Sequence, residues 1–199
     1  MIKVYHSPRT RSLRVLWTLE EMGLEYETAA GSFRDPTPEF ASVNPSLTLP
    51  AMVDGSATIT ESVAIMLYLA ETYGPTPLAL KGGDPGFADY CQFIVFGEAG
   101  LAAPMNAVVG TKFFAPDDQK DNFTVKMVVD GFYKRMKLVE RRLEDQEYLA
   151  GDSFTLADVS VGYTVGLAAG FLGMEIAPHV MAWHQKVTAR PAFQRAAIR

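Results

Sequence analysis

The heptapeptide HSPRTRS, residues 6–12, gathers hydroxyls on Ser7, Thr10 and Ser12 and guanidiniums on Arg9 and Arg11, directly before a run of helical spacing. Hydrogen bonds, nearby positive charge and a helix N-terminus are the local means of holding an anion. This turn carries all of them. A second stretch, LPAMVDGSATITES from Leu49 to Ser62, ends in an acid–hydroxyl pair, Glu61-Ser62, as an apolar helix begins. Asp54-Gly55 between two short apolar runs signals a hairpin, because the tight turn needs positive φ. Architecture alone accounts for each piece. Pro50 is tolerated at the first residue of a strand, Thr60 can cap the helix, and Glu61 in the first turn would suit its dipole. The alternative is that the two ends of the hairpin frame a ligand.

The elements that must position these residues follow from periodicity. IKVY is a short β-favouring run. SLRVLWTLEEMG places Leu13, Leu16 and Trp17 on one helical face and stops at Gly23, and EYET reads as a second strand. Strand, helix and strand in so short a span predict a parallel pair with a right-handed crossover. FRDPTPEFASVNPS is a proline-rich connection to the hairpin, and SVAIMLYLAETYG a largely buried helix. Residues 74–86, GPTPLALKGGDPG, hold the composition of a linker. Domains are therefore expected at 1–77 and 86–199, the second all-helical.

Within that second domain, Val125, Val128, Val129, Phe132, Met136, Val139 and Leu143 trace the seam of one long helix. GDSFTLADVSVGYTVGLAAGFLG forms another, mostly apolar. Thr155 and Asp158 stand at its N-cap and third position, a capping box with Asp in place of Glu. APHVMAWHQKVTARPAFQRA adds two short helices broken at Arg190-Pro191.

Bulk properties narrow the function classes. The chain has 199 residues, 48% hydrophobic and 21% charged, with a formal net charge of −5. That balance argues against nucleic acid or an anionic membrane as partner. One cysteine, Cys91, excludes an intrachain disulfide and a cysteine-built metal site, and fits a reducing compartment. No metal site is expected. The N-terminus lacks an apolar leader and no later run reads as long enough to span a bilayer, so a cytoplasmic protein is expected.

Four stretches, YHSPRTRSLRVLWTLEEMGLEYE, NPSLTLPAMVDGSATITESVAIMLYLAETYG, YLAGDSFTLADVSVG and WHQKVTARPAFQRA, resemble the glutathione S-transferase family, in the family's order and over most of the chain. The resemblance implies an α/β thioredoxin-like N-terminal domain (βαβ-ββα) followed by an all-α helical bundle. It implies that Pro50 is cis, that the Leu49 main chain pairs with the cysteinyl part of glutathione, and that Glu61 and Ser62 grip the γ-glutamyl end. Many members carry Gly-Lys where this chain has Leu47-Thr48, so Thr48 offers the glycyl carboxylate a hydroxyl but no charge. Arg34 and Lys3 are the nearby cations in sequence.

A glutathione thiol must be held as thiolate to act as a nucleophile. Family members place a catalytic Ser, Cys or Tyr around the first turn. Counted back from Arg14, the usual serine places fall on Arg9 and Thr10 and the usual cysteine place on Thr10 or Arg11. Thr10 is the first candidate, then Ser12 and Tyr5, with Arg11 as electrostatic support; simple N-capping is the other reading of Thr10. His6 lies beside the turn, as a lining residue or a solvated histidine. His179 and His184 read as structural.

The second substrate implied is a small apolar electrophile, with Tyr90, Phe93, Phe113 and Phe114 as candidate lining, and the family implies a homodimer. Two rivals share the fold. A non-catalytic binding module would suit the missing orthodox catalytic residue, though not the retained Glu61-Ser62. A glutathione-dependent thiol-disulfide reductase would want a cysteine near the first turn.

Overall fold

The computed structural model describes all residues, 1–199. Contacts divide the chain into two units: residues 1–79 with 187–199, and residues 80–186.

In the first unit β1 (Ile2–His6), β2 (Tyr26–Ala30), β3 (Ala51–Asp54) and β4 (Ala57–Thr60) form one sheet in the order β2-β1-β3-β4. The β1–β2 pair is parallel, as the crossover predicts, and the other two pairs are antiparallel. α1 (Ser12–Met22) is the crossover, and α3 (Ser62–Thr72) follows the hairpin. The hairpin turn is centred on Gly55-Ser56, one residue later than Asp54-Gly55. Gly55 takes φ +59° as the first turn residue, where a β-carbon would be strained. The proline-rich connection holds a further helix, α2 (Pro38–Val43), capped by the Thr37 hydroxyl, which accepts from the Phe40 N–H. Pro38 is no obstacle, because the first helical N–H has no intrahelical acceptor anyway.

Strand alternation sends Ile2, Val4 and His6 to one side of the sheet and Lys3 and Tyr5 to the other. On the second side Tyr5, Phe40 and Ala51 make a small core, with the Tyr5 and Phe40 rings 5.3 Å apart. α9 (Pro191–Ala197) packs on α1 and not with the helical unit, which departs from the expected 86–199 domain. Phe193 meets Trp17 edge-on at 4.8 Å, Arg190 makes two bonds to Glu21, and Arg195 donates to the carboxylate and to the main-chain oxygen of Glu20. The apolar stripe of α1 thus has a second customer that its spacing could not name.

The second unit is all-helical. α4 (Phe87–Val95) runs through a π-helical segment, Phe96–Ala102, into α5 (Ala103–Phe114). α6 (Phe123–Asp145) buries Phe132, Met136 and Val139 of its expected seam. α7 (Leu156–Gly166) is buried from Leu156 to Val165 and continues into a π segment, Leu167–Phe171, before α8 (Pro178–Thr188). The small residues of α7 have a physical reason. Ser160 and Thr164 donate to the main-chain oxygens of Ile94 and Gly97 at 2.8 and 2.9 Å, and a β-carbon on Gly97 would lie 2.6 Å from the Ser160 main chain. The Thr155–Asp158 capping box forms as expected.

One expectation fails here. The unbroken helical run Phe87–Phe114 has 28 residues and a mean hydropathy of 1.4 in its most apolar window, long and apolar enough by length and composition to cross a membrane. Its buried residues, among them Phe93, Ile94, Leu101 and Met105, are core residues of the helical unit.

Candidate active site

The first turn is built by a backbone that reverses after β1. Arg9 stands at φ +64°, the Thr10 N–H donates to the Ser7 carbonyl, and α1 opens at Ser12. Five residues then join in a chain of hydrogen bonds. Thr10 Oγ1 donates to the Ser7 carbonyl at 2.8 Å or toward Ser12 Oγ at 2.6 Å. Ser12 Oγ lies 2.7 Å from His6 Nδ1, and His6 Nε2 lies 3.2 Å from the main-chain oxygen of Arg199. Ser12 is fully buried and Thr10 half-buried, so Thr10 is the more accessible hydroxyl. Arg11 directly precedes the first helical residue. His6 is neither a loop residue nor fully solvated; burial pulls its imidazole below the ordinary histidine value, with the Arg199 oxygen opposing.

Tyr5 is not part of this group. It is 1% exposed on the other side of the sheet and donates to Glu39 at 2.7 Å. Burial, then the hydrogen bond to Glu39, pushes its phenol above the ordinary tyrosine value, the wrong direction for yielding a proton. Its candidacy as a catalytic residue is withdrawn on that geometry. Lys3 likewise is bonded to the same Glu39 at 2.5 Å, and Arg34 lies over the Phe33 ring.

The second cluster sits where β3 begins and β4 ends. The Leu49–Pro50 bond is cis, as the resemblance implied. Among the chain's hydrogen bonds none uses the Leu49 main-chain N–H or C=O. Thr48 belongs to a polar brace: Asn44 Nδ2 donates to its carbonyl at 2.7 Å and to its hydroxyl at 3.2 Å, and Ser46 Oγ lies 2.9 Å from that hydroxyl. Leu47 takes φ +55°, a left-handed backbone that suits the glycine many family members carry there.

Glu61, not Thr60, occupies the N-cap of α3, at φ +65° and ψ 110° with no side-chain capping bond. Its carboxylate is exposed. Ser62 is 2% exposed, and its Oγ accepts from Arg14 Nη1 at 3.1 Å. That bond uses one lone pair and leaves the Ser62 O–H to donate. With the first N–H groups of α3, which have no intrahelical acceptor, it makes a carboxylate-sized donor set backed by a buried guanidinium.

Arg14, His6 and Asn44 are the site's supporting residues that spacing did not assign. Arg14 carried a signal: it is the one charge between Ser12 and Leu19, inside an apolar run. Of the expected electrophile-lining residues, Tyr90 and Phe93 are core, 4% and 1% exposed, while Phe113 is stacked on Phe171 at 4.9 Å and Phe114 is exposed.

A glutathione S-transferase N-terminal domain model matches residues 9–72, and a glutathione S-transferase C-terminal domain model matches residues 103–191. Glutathione S-transferase 1 of Triticum aestivum is 32% identical over 98% of this chain and 92% of its own length. Glutathione S-transferase 3 of Zea mays is 31% identical over 98% and 92%. Among solved structures, a glutathione transferase of Burkholderia graminis with two glutathione molecules bound per subunit superposes at TM-score 0.85, with 27% identity over 98% of this chain and 87% of that one. One of Pseudomonas fluorescens with two glutathione bound has the same score and identity over 98% and 92%. The thioredoxin-like sheet, the helical bundle and these matches make the chain a member of the glutathione S-transferase family, a transferase enzyme.

Proposed function

We propose that the chain binds glutathione along the edge formed by Leu49, Pro50, Glu61 and Ser62, and activates its thiol at Thr10 for attack on small apolar electrophiles. The observation that carries this reading is the Arg14–Ser62 bond at the start of α3. It leaves the Ser62 O–H and the helix N-terminus to take the γ-glutamyl carboxylate, while the exposed Glu61 takes the ammonium group. The open main chain of Leu49 suits a peptide that pairs as an added strand. Thr48, already shared with Asn44 and Ser46, holds the glycyl end more weakly than a lysine would. Thr10, with Arg11 and the α1 N-terminus beside it, stabilises the thiolate. The glutathione bound in the Burkholderia and Pseudomonas relatives supports the same ligand here. A homodimer in the cytoplasm, acting in detoxification and without nucleic-acid or membrane partners, completes the reading.

Calorimetric titration with reduced glutathione, followed by turnover of a generic aryl halide, tests it. Saturable binding with a Kd in the roughly 1 μM–1 mM range usual for enzyme substrates and measurable turnover are expected. Absence of binding overturns the proposal, and binding without turnover favours the silent binding module.

A further inference from the structure

We propose that His6 and Ser12 are positioning residues that, through Thr10, take up the thiol proton of bound glutathione, so that the hydroxyl chain works as a proton relay. This rests on the reading of Thr10 as the residue facing the sulfur.

The geometry gives the chain a direction. The Arg199 main-chain oxygen can only accept, so His6 Nε2 carries the hydrogen and Nδ1, in the neutral imidazole, is an acceptor. Ser12 Oγ then donates to Nδ1 at 2.7 Å. Its oxygen is thereby left to accept from Thr10 Oγ1 at 2.6 Å, in the rotamer that turns the Thr10 hydroxyl away from its other acceptor, the Ser7 carbonyl at 2.8 Å. Every hydrogen points inward, toward His6, and the outer end of the chain presents a lone pair of Thr10. That is the right partner for a thiol S–H and the wrong one for a thiolate.

One concerted shift reverses it. The thiol proton passes to Thr10 Oγ1, the Thr10 proton to Ser12 Oγ, and the Ser12 proton to His6 Nδ1. The sulfur keeps the S–H electron pair and becomes thiolate. Both hydroxyls end neutral, and the imidazole becomes imidazolium. Every hydrogen now points outward: His6 donates to Ser12, Ser12 to Thr10, and Thr10 to the sulfur. No oxidant or further reactant is needed, and the new positive charge lies two hydroxyls from the new negative one, which favours the pair.

The neutral starting state of His6 fits its surroundings. Burial disfavours the charged imidazole, and the charged groups of the elements packed around β1 are engaged elsewhere. Arg14 of α1 bonds Ser62, Glu20 of α1 takes Arg195, Arg199 and the Tyr26 hydroxyl, and Glu21 takes Arg190. Lys3, Tyr5 and Glu39 lie on the far side of the sheet. No side-chain carboxylate holds His6 protonated before the thiol arrives, and the Arg199 oxygen on Nε2 opposes the effect of burial without restoring the ordinary value.

The thiolate absorbance near 240 nm of bound glutathione, followed against pH, reads the relay. His6→Gln keeps an acceptor for Ser12 but cannot take a proton; Ser12→Ala breaks the chain; Ser12→Thr keeps it. The band's midpoint should rise by about one pH unit in the first two, leaving tenfold less thiolate at neutral pH, and return in Ser12→Thr, with glutathione affinity within threefold throughout. A midpoint unchanged in His6→Gln overturns the relay while leaving the reading of the site intact. A wild-type chain that gives neither binding heat nor band overturns that reading and the relay with it. A second measurement needs no variant: in weak buffer, thiolate formation should release clearly less than one proton per band formed, because His6 retains it. Release of a full proton overturns the relay.

Discussion

Arg14 Nη1 donates to Ser62 Oγ across 3.1 Å, and neither residue is more than 2% exposed. A helix-buried guanidinium thus fixes the hydroxyl that opens another helix, 48 positions later in the chain. Arg14→Met keeps the length and burial but not the donor. Ser62 Oγ then loses its buried partner, which costs about 1–3 kcal/mol. Urea unfolding should show that loss, and steady-state kinetics should show KM for glutathione rising several-fold with kcat much less changed. A kcat loss at unchanged KM would remove Arg14 from the glutathione site.

Glu61 sits at φ +65° and ψ 110°, a region that costs a residue with a β-carbon about 1–3 kcal/mol. Glu61→Gly relieves the strain but frees more backbone in the unfolded chain, at about 0.5–1 kcal/mol. The variant is expected to be as stable as the parent or more so, while glutathione affinity falls about tenfold through the lost ammonium partner, the worth of one charge-assisted hydrogen bond. Stability and affinity moving in opposite directions identify the strain as functional. A joint fall in both refutes it.

Thr10 and Tyr5 separate the two hydroxyls that the sequence left as rivals. Thr10→Val should lower kcat about 100–1000-fold, the effect of one lost donor on a developing charge, with glutathione affinity retained. Tyr5→Phe should leave kcat/KM within twofold and cost about 1 kcal/mol of stability through the lost bond to Glu39. The converse pattern would return Tyr5 to the active site.

The contrast between these two residues shows what the sequence could carry. Period-two alternation along β1 already put Tyr5 and His6 on opposite sides, but only the packing of Phe40 decided which side was buried against α2. α2 itself was masked by Pro36 and Pro38, which read as punctuation until Thr37 is seen capping Phe40. The hairpin, α1 and α3 were legible because each is local and strongly periodic. α9 was legible as a helix but its docking on α1 was not, since an amphipathic face does not say which helix it covers, and Arg190–Glu21 spans 169 positions. The γ-glutamyl pair Glu61-Ser62 was visible as a motif. Arg14 behind it was visible only as an anomaly, and the His6–Ser12–Thr10 chain needed the geometry.

Asp158 does more than close its capping box. Its carboxylate accepts from the N–H groups of Leu149 and Thr155, the Thr155 hydroxyl and Trp183 Nε1, all buried. Asp158→Ala leaves several donors unpaired at once, and a loss of about 3–5 kcal/mol is expected, above the roughly 0.5–2 kcal/mol of a simple cap. Measured well below its lowered Tm, the variant should keep its kcat/KM. A fully stable but inactive variant would contradict the structural role.

His6 makes stability depend on pH with a definite sign. Burial holds its imidazole below the ordinary 6.5 in the folded chain, so between that lowered value and 6.5 the folded chain binds fewer protons than the unfolded one. The contribution is complete above the unfolded value and is lost as pH falls through this window, levelling off only below the folded value. His184, also lowered by burial, acts in the same sense. Urea unfolding from about pH 8 to about pH 5 should therefore show the wild-type chain losing stability on the acid side, and His6→Gln losing less. Coincident slopes would mean that His6 titrates alike in both states, and so that no neutral imidazole is being held ready for the Ser12 hydroxyl.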